Sequence, residues 1–354
     1  MGRKTLQATP AGSNTTLADV AEHVGVSVGT VSKVINQRAG VSAPVRERVR
    51  EAIASLGYVS FGERNQIGLS SAEATIEVVA DPEDMTNPYL SAFLGGALRA
   101  ATRLNAALLL RDPATLGAGS EKSWAESLSL SGRLGVIEVT SQYSIKRERA
   151  LQAAGIPMVL VDPIDVPRTS VPSVGASNWA GAYAATKHLL ELGHTRIAYI
   201  GGPVGAACDV VRAHGWAAAM AEAGLTVDLE GIPRRGYTYE HGLQAAITLL
   251  SAVPRPTAIF AGSDISAMGV IEAARRQRIL VPSELSVVGF DDTYLAGAAT
   301  PPLTTVHQPI AEIGAAAVST IVRLSRKEEL PSARVELATE LVVRASTAPP
   351  AERT

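Results

Sequence analysis

From residue 74 onward the chain alternates short apolar runs with helical patterns, and this alternation restricts its fold more than any other feature. Strand-like runs fall at 76–80, 107–110, 135–139, 158–161, 197–200, 258–261 and 285–290. Apolar residues at helical spacing occupy 92–105, 180–192, 211–223, 240–250 and 266–277. A strand that returns parallel to its predecessor needs a long crossover, which a helix fills, so the pattern predicts parallel sheets covered on both faces. There are enough such units for two sheets, giving an α/β body over 74–346. Hydrophobic residues make up 46% of the chain and aromatics only 4%, so its core must be mostly aliphatic.

Before residue 60 the rhythm differs. Leu17, Val20, Ala21 and Val24 share one helical face, with Thr16 at the N-cap and Asp19 three residues on, as in a capping box. Gly25 breaks that helix, and Ser27 caps a second carrying Val31, Val34 and Ile35. Ser42 caps a third, with Pro44 near its first turn and Val45, Val49, Ile53 and Leu56 facing inward, before Gly57 ends it. Three short helices with a glycine turn between the first two predict an all-α helix-turn-helix head over 16–60. Residues 1–60 carry seven Lys/Arg against four acids, a net +3, which leaves −5 for the remainder. A basic head on an acidic body suits a polyanion at one end only. Residues 1–15 and 347–354 read as disordered tails, and 61–73, small and polar, as a hinge or linker.

Other classes fit less of the chain. No apolar run reaches the roughly 18 residues of a membrane span, and residues 1–14 lack the apolar stretch of a signal peptide. The expectation is therefore a cytoplasmic protein with no membrane partner. An exported solute-binding protein would leave the first sixty residues without a use. The lone Cys208 precludes an intramolecular disulfide or a multi-cysteine metal site and reads as a structural thiol near a cleft. The run from Gly201 to Gly205 lacks dinucleotide-loop spacing, and no phosphate-loop motif or catalytic constellation is legible, so neither an enzyme nor a cofactor is expected. The six histidines form no metal motif; His188 and His194 flank a helix end, where a cation suits the dipole.

The ordered run from Thr16 to Asn36 (TLADVAEHVGVSVGTVSKVIN), continuing through Val41, Ser42, Arg46, Val49, Leu56, Gly57 and Tyr58, closely resembles the DNA-binding head of LacI-type (LacI/GalR) bacterial transcription regulators. The body is similar to the same family over nearly all of 74–345. Its markers include Asn87-Pro88-Tyr89, Gly155-Ile156-Pro157, the stretches 188–194 and 196–202, Arg212 to Trp216, Gly262-Ser263-Asp264, 286–292 and 302–305. The resemblance implies two doubly wound parallel-sheet lobes of periplasmic-binding-protein type joined by three crossovers. The first lobe would take about 74–175 plus 306–330, and the second about 176–305 plus 331–346. A ligand would bind at the carboxyl ends of the strands, where open parallel sheets favour it. It further implies a homodimeric repressor on a pseudo-palindromic operator, nucleoid-associated when bound. Its effector would be a mono- or oligosaccharide, with a nucleobase or other metabolite acting as corepressor as the alternative.

Residue by residue, Thr16, Ser27, Thr30, Ser32 and Asn36 suit phosphate contacts, and Leu17, Ser42 and Tyr58 fall in the same DNA-facing set. Val28 and Gly29 take the family's base-reading positions, although neither side chain can hydrogen-bond a base; Lys33 is the better polar contact. Ile67 falls at the family's minor-groove wedge, with Leu69 as runner-up, in a hinge that lacks the usual Pro-Asn and Ala-rich pattern. In the body, Arg212 and Asp291 match the effector-holding pair, a fork of donors and a carboxylate suited to vicinal hydroxyls. Asp162 would line the opposite wall, Tyr89 and Trp179 would stack on a sugar face, and Ser263 replaces the usual Asn. Which of Tyr237 and Tyr239 faces the ligand is left open.

Overall fold

The computed structural model describes residues 17–35, 41–56, 74–118, 121–165 and 171–351. The chain divides between Glu73 and Ala74 into two compact units.

The head is three helices, α1 (Leu17–Val24), α2 (Val28–Ile35) and α3 (Ala43–Ser55). Their apolar stripes meet in a core of Val20, Ala21, Val24, Val31, Val34, Val49 and Ala52. Gly25, at φ +71°, closes α1 in the left-handed conformation that a side chain resists. Arg48 Nη2 donates to the Val24 carbonyl at 2.6 Å and ties α3 to that helix end. Ser27 Oγ accepts from the Thr30 amide at 3.2 Å, the expected cap. Ser42 differs: it occupies the N-cap position of α3, but its side chain makes no capping bond. Pro44 removes one of the two amides, two and three residues on, that an N-cap oxygen normally takes.

In the body, β1 (Ala74–Val79), β2 (Ala106–Arg111), β3 (Arg133–Val139), β4 (Met158–Val161), β5 (Ser173–Ala176) and β10 (Arg334–Leu337) form one parallel sheet, in the order β10-β5-β4-β3-β1-β2. A second sheet, β11-β9-β8-β7-β6, takes β6 (Ile197–Ile200), β7 (Ala258–Ala261), β8 (Ser286–Asp291), β9 (Thr304–His307) and β11 (Glu340–Val342). It is parallel except where β11 pairs antiparallel with β9. Helices cover both faces of each sheet, so the inner strands β1, β3, β4, β7 and β8 are largely buried and mostly apolar.

On the first sheet, α4 (Pro88–Arg103) and α12 (Ile310–Ser325) pack over Ile76, Val78, Ile137 and Val159. The opposite face takes α5 (Glu121–Leu130) and α6 (Ile145–Ala153) through Trp124, Leu128 and Leu151. On the second sheet, α7 (Asn178–Glu191) and α8 (Ala207–Glu222) cover one face with Leu189, Trp216 and Met220. The other face takes α9 (Tyr239–Leu250) and α10 (Asp264–Arg276) with Leu243, Ala246 and Val270, and a short α11 (Tyr294–Ala298) follows β8. Helices α4 and α12 cross so closely that a Cβ on Gly96 would lie 1.9 Å from the Ala311 carbonyl oxygen, so only glycine fits there.

The chain passes between lobes after β5, after β9 and between β10 and β11. This corrects the expected division of the C-terminal third. Residues 334–337 join the first sheet, Val335 lying opposite Val174, and 304–307 stay in the second. Residues 347 and 348 are also held rather than frayed. The Ala348 amide donates to Ser286 Oγ at 3.0 Å, its carbonyl lies 2.9 Å from His194 Nε2, and Thr347 Oγ1 is 3.2 Å from Thr304 Oγ1. Burial lowers the pKa of both His188 and His194, so neither serves as the helix-end cation that the sequence suggests.

Candidate functional site

Between the two sheets, at the carboxyl ends of their strands, lies a cavity of about 290 Å³. Three residues just past or at strand ends, Thr140 after β3, Asp162 after β4 and Asp291 closing β8, line it with φ of +46°, +41° and +112°. Left-handed backbone is uncommon for any residue with a Cβ and especially for a β-branched threonine. Its clustering on one cavity marks a site where local strain is tolerated for what the side chains do.

Arg212, on the buried side of α8, is the one guanidinium among the described lining residues. Its Nε donates to Asn178 Oδ1 at 2.7 Å and its Nη1 to the Gly262 carbonyl at 2.5 Å. The guanidinium carbon lies 3.7 Å from the centre of the Phe290 ring and 5.3 Å from that of Tyr237, and Nη1 is 3.9 Å from Asp291 Oδ1. Burial opposes its charge, but Tyr237, Cys208 and Asp291 favour it and hold the pKa above the usual arginine value. Asn178 is itself anchored, its Nδ2 donating to the Ala176 carbonyl at 3.0 Å.

Asp291 accepts from Gln308 Nε2 at 2.6 Å. Burial pushes its carboxyl up to about 8, against the lowering by Arg212 and with a further rise from Asp264. Across the cleft Asp162 accepts a short hydrogen bond from the Tyr89 hydroxyl, and burial raises its pKa against Tyr89 and Arg212. Asn87 caps α4, accepting from the Tyr89 amide at 3.0 Å, and so fixes where that tyrosine enters. Asp84 adds a half-buried carboxylate, bonded by Thr140 Oγ1 at 3.3 Å and raised by burial and by Asp81. Tyr237 is held against the cleft by Asp209, which also accepts from Tyr199, the Gly202 amide and Arg234. Donors and acceptors thus converge from both lobes on a partly aromatic cavity, an arrangement that suits a neutral, hydroxyl-bearing molecule.

Tyr89, Asp162, Arg212 and Asp291 therefore share one wall-to-wall site. Ser263 and Trp179 are not among its lining residues. Ser263 is buried as the N-cap of α10, accepting from the Ser266 amide at 3.3 Å, so its hydroxyl is taken by the helix. Trp179 stacks on Tyr183, with centroids 5.1 Å apart, at the start of α7. Of the two uncertain tyrosines, Tyr237 lines the cleft, whereas Tyr239 opens α9 and is exposed. Cys208, read as a structural thiol, contributes to the wall as well, and burial raises its pKa. Thr140 was open to the strand-end rule that picks out Asp162 and Asp291. Asn178, Asp209 and Gln308 carry no such signal, because they act through Arg212, Tyr237 and Asp291.

In the head, Ser27, just before α2, and Val28, Gly29 and Lys33 on it are exposed, opposite the buried Val31 and Val34, and Ser27 Oγ lies 2.9 Å from Thr30 Oγ1. Ser32 is half-buried and Ser42 exposed. Thr16, Asn36, Tyr58 and Ile67, and the side chain of Leu17, lie outside the described residues.

Residues 16–60 match the family described as bacterial regulatory proteins, lacI family, and residues 186–347 match the periplasmic binding protein-like domain. The HTH-type transcriptional regulator DegA of Bacillus subtilis is 34% identical over 342 residues, covering 95% of this chain and 98% of its own. MalR of Streptomyces coelicolor is 35% identical, covering 96% and 98%. The chain belongs to the LacI family. Among solved structures, a complex of the transcriptional regulator CelR with cellobiose superposes with a TM-score of 0.69 at 30% identity, covering 94% of this chain and 99% of that one. A lac repressor dimer bound to operator and the anti-inducer ONPF gives 0.69 at 27%, covering 95% and 100%. This LacI-family chain is thus a DNA-binding transcriptional regulator with an effector-binding body, and its relatives are regulators rather than enzymes. Among the described residues no helix is long and apolar enough to cross a membrane, and no cluster of His, Cys, Asp and Glu is placed to hold a metal.

Proposed function

We propose that the chain is a homodimeric, cytoplasmic repressor, nucleoid-associated when on DNA, whose hold on a pseudo-palindromic operator is set by a sugar bound between its lobes. The observation that carries this is the pairing of Arg212 with Asp291 inside the cleft. The guanidinium is aimed by Asn178, Gly262 and the Phe290 ring, and it faces a carboxylate across 3.9 Å. A fork of donors beside an acceptor matches two adjacent hydroxyls, and Tyr89 and Tyr237 supply surfaces for a ring. The CelR complex with cellobiose supports the same ligand class.

On the DNA side, Ser27, just before α2, and Val28, Gly29 and Lys33 on it face outward, small enough for a close approach and basic at the point of contact. Thr16, Leu17, Thr30, Ser32, Asn36, Ser42 and Tyr58 complete the proposed contact set, with Ile67 as the hinge wedge. Pairing of two copies is supported by apolar residues that an isolated body leaves wet: Leu98, Leu109 and Leu110 on the first lobe, Val253 and Leu280 on the second. The lac repressor structure is a dimer on operator. Ligand changes operator affinity only to the extent that it binds one lobe arrangement better than the other.

The test is an Arg212→Ala variant in a shift assay on operator duplex with calorimetry alongside. It should bind operator as the parent does and lose all response to sugar. Full response in both Arg212→Ala and Asp291→Ala would overturn the site.

A further inference from the structure

Beside the cleft, at the crossovers, lies a second cavity of about 420 Å³. Trp179, Ser173, Val211, Arg334 and Glu336 contribute to its lining, and Asp162 and Cys208 belong to both cavities. Resting on the reading that the cleft takes a sugar, we propose that this cavity is a second subsite of the same binding site. The effector is then an oligosaccharide of at least two rings, whose far ring stacks on Trp179.

Asp162 and Cys208, both short side chains, line the two cavities together. Asp162 Oδ2 is held by Tyr89 at the cleft, while its Oδ1 lies 2.5 Å from where a Cβ on Gly175 would stand, on the strand that lines the second cavity. Glycine at 175 leaves that oxygen room. One carboxylate can therefore serve hydroxyls on neighbouring rings.

Trp179 is built as a platform. One face of its indole is covered by Tyr183, with centroids 5.1 Å apart and planes 12° from parallel. Lys187 lies 5.6 Å from the Tyr183 ring centre on the next turn, and the Tyr183 hydroxyl is bonded to Glu222. The residues at 179, 183 and 187 thus form one ordered ladder on α7, yet Trp179 remains 45% exposed beside the cavity. A large aromatic ring fixed on one side and open on the other is costly to leave in water, and the apolar face of a pyranose covers it well. The rim supplies what the hydroxyls need: Arg334 and Glu336, paired at 2.8 Å on β10, offer donors and acceptors together, with Ser173 beside them. At 290 Å³ the cleft alone stands at the low end of about 300–1,000 Å³ for small-molecule sites, and the second cavity extends it.

Calorimetry on the full chain tests this with glucose, then cellobiose and cellotriose, then maltose and maltotriose, against the parent, Trp179→Ala, Trp179→Phe and Arg212→Ala. In the parent, one disaccharide or trisaccharide should bind at least tenfold tighter than glucose, one per chain. Trp179→Ala should lose that gain and keep the glucose affinity, and Trp179→Phe should keep most of the gain. Tryptophan emission gives a second readout. Trp124 and Trp216 are buried, so the shift caused by the longer sugar should be absent from Trp179→Phe. Glucose binding with no gain from length, a gain undiminished in Trp179→Ala, or two glucose molecules per chain would overturn the subsite while leaving the sugar reading intact. If no saccharide of any length binds while operator preference persists, the sugar reading falls and the subsite with it.

Discussion

Asp291 is buried between Arg212 and Gln308, and its carboxyl is pushed up to about 8, so below that pH the empty site is mostly protonated there. A ligand that donates hydroxyls selects the ionised form, and binding then expels a proton. Affinity should rise about tenfold per pH unit as pH climbs toward 8 and level off above it. Calorimetry between pH 6 and 9 reads this slope directly, and Asp291→Asn should abolish it; a flat profile in the parent would count against Asp291 as a ligand contact. At this scale the sequence was informative wherever a residue's position in an element announces its role. Asp162 and Asp291 follow from standing at the ends of apolar runs, and Arg212 from the motif around it. Ser263 misled because sequence order cannot distinguish a helix cap from a cleft wall, and Trp179 lines the neighbouring cavity rather than the cleft itself. Asn178 and Asp209 were illegible, since their partners lie 34 and 25 residues away, at Arg212 and Arg234.

Among elements, seven of the eleven strands among the described residues were visible as apolar runs. Those missed were β5 (Ser-Val-Gly-Ala), the buried β9 (Thr-Thr-Val-His), the exposed edge strand β10 (Arg-Val-Glu-Leu) and the short β11 (Glu-Leu-Val). None has an apolar run of any length to read, and the pairing of β5 with β10 spans some 160 residues of chain. The segment after β11 hid for the same reason. It is held by His194, whose Nδ1 lies 2.9 Å from Thr257 Oγ1 and whose Nε2 lies 3.0 Å from Ser286 Oγ and 2.9 Å from the Ala348 carbonyl. Burial lowers the His194 pKa below its unfolded value, despite the raising contact with Ala348. The unfolded chain therefore takes up the proton more readily, so stability from this group is intact above about pH 6.5 and falls as pH drops through the folded pKa. In scanning calorimetry, His194→Gln should unfold earlier than the parent at pH 7.5, by about 1–2 kcal/mol for the lost bonds. The gap should narrow toward pH 5. A gap of constant size across that range would show that His194 does not titrate with unfolding.

For the whole molecule, family membership came through at both ends of the chain, while the lobe division at 304–342 did not, because it depends on which sheet accepts each late strand. The exposed leucines of α4 and the edge strand β2 bear on assembly. Leu98→Glu with Leu110→Glu should leave sugar binding unchanged, convert the dimer to monomer in sedimentation velocity, and cut operator affinity at least a hundredfold as the two heads lose their linkage. A parent that sediments as monomer at micromolar concentration would refute the pairing. The return of β10 to the first sheet has one more consequence. Synthesis must pass Leu337 before the first lobe has its edge and Val342 before the second has its own, so on the ribosome neither lobe is finished before the other's chain has been made. A message that stops short of codon 334 yields two incomplete sheets rather than one intact lobe.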